Sequence, residues 1–158
     1  MRQPIDAMLE STMATKPLSP QELRVWHAFR LMNEDVLTRV GQDIAQATGL
    51  SGPEFGVLSR LEAFGHGEMR QQELARVMGW DKSRLSHQLS RMETRSLVER
   101  RPGGGKVVLV VLTKSGREKL DRARPIHAHS VRKNLLNRIS PEQTATIVRI
   151  SNLLGEEP

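Results

Sequence analysis

From Lys82 to Arg91 the chain reads Lys82, Ser83, Arg84, Ser86, His87, Gln88, Ser90 and Arg91, a run of cations and short hydroxyls broken only by Leu85 and Leu89. At helical pitch Leu85, Leu89 and Met92 share one narrow face, and Ser83, His87, Ser90, Arg91 and Thr94 fall opposite, flanked by Arg84 and Ser86. Serine is a mediocre helix former, so its recurrence here serves something other than propensity. Small hydroxyls let a helix approach a groove closely. Arginine pairs bidentately with guanine O6 and N7, histidine and serine reach base edges or phosphates, and Gln88 is placed to reach adenine. The chemistry implied is recognition of duplex DNA rather than the making or breaking of bonds.

Other chemistries find no support. Gly103-Gly104-Gly105-Lys106 is not a phosphate loop, because Val107 follows the lysine and Arg100 stands where the first glycine belongs. His127 and His129 are two residues apart and leave a helix on different sides, so a zinc pair at i, i+4 is absent. No serine, histidine and acid grouping carries an elbow or glycine signature. The 158 residues contain no cysteine, which removes disulfides, thiolate metal sites and cysteine nucleophiles. No enzyme activity, metal or cofactor is therefore expected. Five aromatics and no tyrosine disfavour stacking platforms for unpaired bases.

The elements that must position this helix are marked by local signals. Ser19-Pro20-Gln21-Glu22 is a capping box with proline at the first helical position, and predicts a long helix ending near Thr48 with Gly49 as its left-handed terminator. Ser51 and Glu54 repeat the box for a second helix to Phe64, ended by Gly65-His66-Gly67. A short third helix is expected from about Arg70 to Met78, and after Gly79 the polar run forms a fourth, from Asp81 or Lys82 to Arg95. Two short helices joined by a glycine-containing turn describe a helix-turn-helix. Leu97 to Arg100 and Val107 to Leu112 flank Pro102-Gly103-Gly104-Gly105 and predict a β-hairpin with a flexible tip. Thr113 caps a fifth helix to about Arg138, kinked at Pro125, and Ser140-Pro141-Glu142-Gln143 opens a last helix to about Leu154.

The net charge of +6 is concentrated. Lys82 to Lys106 holds seven basic residues, Lys82, Arg84, Arg91, Arg95, Arg100, Arg101 and Lys106, against Glu93 and Glu99. A polyanion footprint would look like this, and so would a solvated helix face. No apolar run approaches the roughly 20 residues of a membrane span, and Met1 to Pro20 lacks the order of a signal peptide, so a cytoplasmic location with no membrane partner is expected.

Residues 50 to 116 resemble the winged helix-turn-helix of the MarR family of bacterial transcriptional regulators. The resemblance rests on Glu73-Leu74-Ala75, on Ser83-Arg84-Leu85-Ser86-His87-Gln88-Leu89-Ser90-Arg91-Met92-Glu93, on Leu97-Val98-Glu99-Arg100 and on Leu112-Thr113-Lys114-Ser115-Gly116. The long first helix with Trp26 and the end segment around Pro125 and Ser140 extend it over nearly the whole chain. It implies a mainly α fold with a small β-hairpin wing, a winged helix-turn-helix with flanking dimerisation helices. The expected organisation is an N-terminal arm over 1–18, a dimerisation helix over 19–49, a DNA-binding lobe over 50–113 and C-terminal dimerisation helices over 114–158. Two departures stand out. Lys106 and Gly104 occupy the positions of the wing arginine and its orienting aspartate, and Ser96 replaces the usual glycine at a left-handed helix end.

Together these readings predict a sequence-specific regulator that binds a palindromic double-stranded DNA operator as a homodimer, represses, and is released by a small molecule. Its DNA contacts are expected from Lys82, Ser83, Arg84, Ser86, His87, Gln88, Ser90, Arg91, Arg101 and Lys106. The rival is a winged-helix protein-interaction module that never touches DNA. On the first helix Trp26, Phe29, Val36, Leu37, Val40 and Ile44 project to one face, which Arg30 and Asn33 interrupt. That face is either a packed interface with Arg30 snorkelling or paired to an acid, or a cleft for a small anionic aromatic effector lined by Trp26, His27, Arg30 and Phe55.

Overall fold

The computed structural model describes residues 16–155; positions 1–15 of the expected arm and 156–158 lie outside the described residues. The chain divides into two units, one up to Asp35 and one from Val36 onward. Helix α1 spans Pro20–Thr48. Its start is the predicted box: the Ser19 amide donates to Glu22 Oε2 (2.7 Å) and the Glu22 amide to Ser19 Oγ (3.3 Å). Gly49 follows at φ +71°, where a side chain would be strained.

Helix α2 (Gly52–Gly65) opens on the Ser51 and Glu54 box and closes on His66, which takes the left-handed conformation itself. Then come β1 (Glu68–Arg70), α3 (Gln71–Met78) and α4 (Lys82–Thr94), the last capped by Asp81, whose carboxylate accepts from the Arg84 amide at 2.8 Å. Ser96 sits at φ +55°, the left-handed position expected of it. Strands β2 (Val98–Pro102) and β3 (Val108–Leu112) form the hairpin, and α5 (Lys114–Asn134), a 3-10 turn (Leu136–Arg138) and α6 (Pro141–Gly155) complete the order.

Two expectations are corrected. The hairpin is part of a three-stranded antiparallel sheet in the order β1-β3-β2, with Met69 opposite Val110 and Arg100 opposite Val110 on the other side. Helix α5 ends at Asn134, short of Arg138, with Pro125 inside it as expected. Among the described residues no helix is long and apolar enough to cross a membrane.

In the second unit one core gathers residues of all these elements except the 3-10 turn and α6. Leu85, Leu89 and Met92 of α4 are fully buried against Leu58 and Leu61 of α2, Leu74 of α3 and Leu97, Val98 and Val110 near the sheet, with Val40 and Ile44 of α1 and Leu120 of α5 in the same cluster. Each buried leucine contributes roughly 1.5 to 3 kcal/mol relative to exposure. The polar stripe of α4 is thereby turned outward.

Three polar ties fix what the core orients. Arg95, at the end of α4, donates to both Glu54 oxygens (2.7 and 2.6 Å) and to the Gly49 carbonyl (2.9 Å), so a buried carboxylate that caps α2 also anchors α4. Arg100 on β2 donates to Glu93 on α4 from its amide, Nε and Nη2 at 2.9, 2.9 and 2.6 Å. The Thr113 hydroxyl accepts from the Gly116 amide at 2.9 Å and lies 2.6 Å from the Ser96 carbonyl, joining the start of α5 to the α4–β2 turn. Gly116 is pressed so close that a Cβ there would stand 2.1 Å from the Leu97 carbonyl oxygen.

Gly116→Ala is accordingly expected to cost about 3 kcal/mol or more of stability in a denaturant titration, since backbone rather than a flexible side chain must yield. The Glu93 carboxyl is held below its ordinary value of 4.5, chiefly by its hydrogen bond to Arg100. A depressed carboxyl stabilises the fold fully above its unfolded value and loses that contribution as pH falls through the lower folded value. Acid titration should therefore lose a component of stability below pH 4.5 that Glu93→Gln lacks.

Candidate nucleic-acid interface

With its apolar stripe buried, α4 leaves Lys82, Ser83, Arg84, His87, Ser90 and Arg91 exposed, and Ser86 half-buried. Gln88 is corrected. It is 5% exposed, lies between Leu85 and Leu89 on the inner edge of the helix, and its amide oxygen accepts from Arg91, so it cannot reach a base edge as predicted. Ser86 and Ser90 are held in place. Arg100 donates to Ser90 Oγ at 2.9 Å and to Ser86 Oγ at 3.4 Å, while the Ser90 hydroxyl donates to the Ser86 carbonyl at 3.1 Å.

The local charge is smaller than the count of cations implies. Of the seven basic residues, Arg95 is paired with Glu54, Arg100 with Glu93, and Arg101, though exposed, with Glu99. Lys82, Arg84, Arg91 and Lys106 have no acid partner among the described residues, and they lie on the exposed side of α4 and beside the wing tip. Arg84 is further positioned by an interaction that the sequence pattern alone did not suggest: its guanidinium carbon sits 4.4 Å from the centre of the Trp80 ring. The signal was present in the four-residue spacing Trp80 to Arg84, which places a cation over an aromatic face across the helix start.

The wing tip is closed by its own backbone, the Gly103 amide donating to the Val107 carbonyl at 2.8 Å and the Val107 amide to the Gly104 carbonyl at 3.0 Å. Gly104 and Gly105 take φ of +94° and +56°, which explains glycine at both. Lys106 is exposed next to them, and Gly104 offers no carboxylate to orient it.

The residues assigned to an effector cleft fall differently. Trp26, His27 and Arg30 are exposed, with Trp26 stacked near Phe29 at 6.3 Å between ring centroids. Arg30 is exposed and Glu34 holds it at 2.8 Å, the pairing to an acid that stood as the alternative to an effector contact. Phe55 belongs to the second unit, where its ring lies 4.8 Å from His127, whose imidazole is pushed to lower pKa by burial. Among the described residues no group of three metal-ligating side chains is placed to hold an ion.

A model of the MarR family matches residues 48–106. No curated protein matches the sequence significantly. Among solved structures, the chain is similar to AbsC, a MarR family transcriptional regulator from Streptomyces coelicolor, at 28% identity and a TM-score of 0.78 over 90% of this chain and 100% of that one. Similarity to Sco3205, a MarR family transcriptional regulator from Streptomyces coelicolor in complex with DNA, is 26% with a TM-score of 0.82, over 91% and 93% of the two chains. A mutant MarR from E. coli complexed with operator DNA shares the fold at 17% identity and a TM-score of 0.77, over 89% and 100%. The matched segment carries α4 and the wing tip, and the likeness to both Streptomyces regulators runs over them almost end to end, so the chain is similar to MarR family regulators in sequence over that segment and in fold throughout.

Proposed function

We propose that the protein is a sequence-specific regulator of transcription that binds a palindromic double-stranded operator as a homodimer, represses there, and is released by a small molecule. The observation that carries this reading is the outward face of α4, where Lys82, Ser83, Arg84, His87 and Arg91 stand exposed beside Lys106 of the wing. A helix of this kind fits a major groove, with cations to phosphates and Arg84 and His87 to base edges. Sco3205, in complex with DNA, supports the assignment by likeness.

Dimerisation is supported by apolar surface without cover. In the first unit Leu23, Val25, Trp26, Phe29, Leu31 and Met32 are all exposed. In the second, α6 buries none of its residues, and Leu154 is 72% exposed with Val148, Ile150 and Leu153 also open. Amphipathic helices with bare apolar faces require a partner surface, and a second copy supplies one. A two-fold dimer then presents two α4 helices to successive major grooves about 34 Å apart. A ligand that binds better when the two are differently spaced weakens operator affinity.

Sedimentation should show a dimer down to low micromolar concentration; a compact, stable monomer overturns this part of the reading. Selection from random duplexes should return a palindrome. On that sequence Arg84→Ala is expected to cost about 1 to 3 kcal/mol and to relax preference at one or two positions per half-site. Lys106→Ala should weaken all duplexes alike and flatten the dependence of log K on log salt by about 0.9 for each phosphate that a subunit no longer neutralises. Absence of salt-dependent duplex binding would favour the protein-interaction module instead.

A further inference from the structure

The turn between α3 and α4 carries an aromatic ring where a helix-turn-helix needs only a bend. Gly79 ends α3 at φ +63°, and Trp80 follows at once, its amide donating to the Ala75 carbonyl at 3.0 Å. The Trp80 side chain is half-buried and packs against the hydrophobic core. Its ring lies under the Arg84 guanidinium, whose central carbon is 4.4 Å from the ring centre. Arg84 is held from its other end too, because Asp81 accepts from its backbone amide at 2.8 Å. Two neighbours in sequence, one anchored on the core, thus fix both the backbone and the head group of a single arginine.

We infer that Trp80 is a positioning residue for sequence recognition: without touching DNA, it holds the Arg84 guanidinium so that its hydrogen-bonding edge is presented to a guanine. The inference rests on the reading of α4 as the helix that enters the major groove. A ring over the face of a guanidinium attracts its charge and takes none of its five N–H donors, which lie in the plane of the group. Among the described residues the Arg84 guanidinium donates no hydrogen bond and meets no carboxylate, so that edge stays available. An unheld arginine surrenders its rotamer freedom on binding, whereas this one has given up part of it before DNA arrives.

The other available cations are held differently. Arg91 donates to the amide of the buried Gln88. Lys82 and Lys106 have no comparable hold among the described residues, and each carries a point charge rather than a fork. Phosphate suits such a charge, while the O6 and N7 pair of guanine calls for a planar fork at a fixed angle. Specificity and affinity are thereby divided among side chains of the same charge.

NMR of the full chain tests the hold without DNA. The Arg84 side-chain protons should lie upfield in the unmodified protein, move to ordinary positions in Trp80→Leu and Trp80→Met, and stay upfield in Trp80→Phe, with thermal unfolding showing which variants are folded. Duplex binding is then measured on the selected operator and on versions carrying each other base at the positions where Arg84→Ala relaxes preference. Trp80→Leu and Trp80→Met are expected to lose about threefold or more of the discrimination for guanine at those positions and at no others, with the slope of log K against log salt unchanged. Trp80→Phe should keep it to within about twofold, and in the Arg84→Ala background Trp80→Leu should change it no further. Absence of the upfield shift in the unmodified protein overturns the inference, as does discrimination that survives in a folded Trp80→Leu or Trp80→Met. So does a Trp80→Leu that weakens every duplex alike, lowers the salt slope, or acts as strongly in the Arg84→Ala background. If the unmodified protein shows no salt-dependent duplex binding, the operator reading has failed, and the inference falls with it.

Discussion

The rest of this lobe depends on the immobility of α4, which the proposed function needs because a helix reads a groove only if it is fixed against the body that carries it. Leu85, Leu89 and Met92 sink completely into the core, which fixes the helix in rotation about its axis. Its two ends are fixed by charge: Asp81 caps the first turn, and Arg95 beyond the last turn is clamped on Glu54, a buried carboxylate already committed to starting α2. Breaking that pair would leave an uncompensated buried charge, typically worth about 3 to 5 kcal/mol, so the anchor is costly to lose even where its net contribution is small. The sheet and α5 are then attached to α4 through Arg100 and through the hydroxyl of Thr113.

Electrostatics in this lobe separates into structural and available charge. Arg95, Arg100 and Arg101 face acids of their own chain, and their fields at a distance are largely cancelled. Lys82, Arg84, Arg91 and Lys106 keep theirs. A desolvated or hydrogen-bonded pair holds a helix in place, whereas a solvated, unpaired cation is what a polyanion exchanges for its condensed counterions. Counting cations along a sequence conflates the two, because the partner of each arginine is set by tertiary proximity.

What was legible from the sequence was local. The three capping boxes and the Thr113 cap join residues three apart, and each is formed as their spacing implies. The stripe Leu85, Leu89, Met92 has helical period and is buried. Less legible was β1, whose three residues offer a single alternation and whose pairing partner lies some forty positions away. Without that strand Arg70 had no address beside β3. Gln88 was misjudged because a helical projection gives an angle but not the depth of the neighbouring surface. Ser86 and Ser90 looked like free hydroxyls because Arg100 reaches them from fourteen and ten residues further along the chain. On α1, polarity placed Arg30 on an apolar face, while the i, i+4 pair with Glu34 decided its state.

The Arg100 network also bears on how such a lobe could be re-engineered. Ser86, Ser90 and Glu93 belong to the helix that faces outward, and Arg100 belongs to the strand leading into the wing. A graft that exchanges only the outward residues of α4 for those of another regulator would strand Arg100 beside whatever replaced the two serines, tilting the strand or loosening the helix. The unit of transplantation is therefore the segment from Asp81 through Arg100, moved whole, whereas Ser83, Arg84 and His87, which no bond from Arg100 engages, can be exchanged singly.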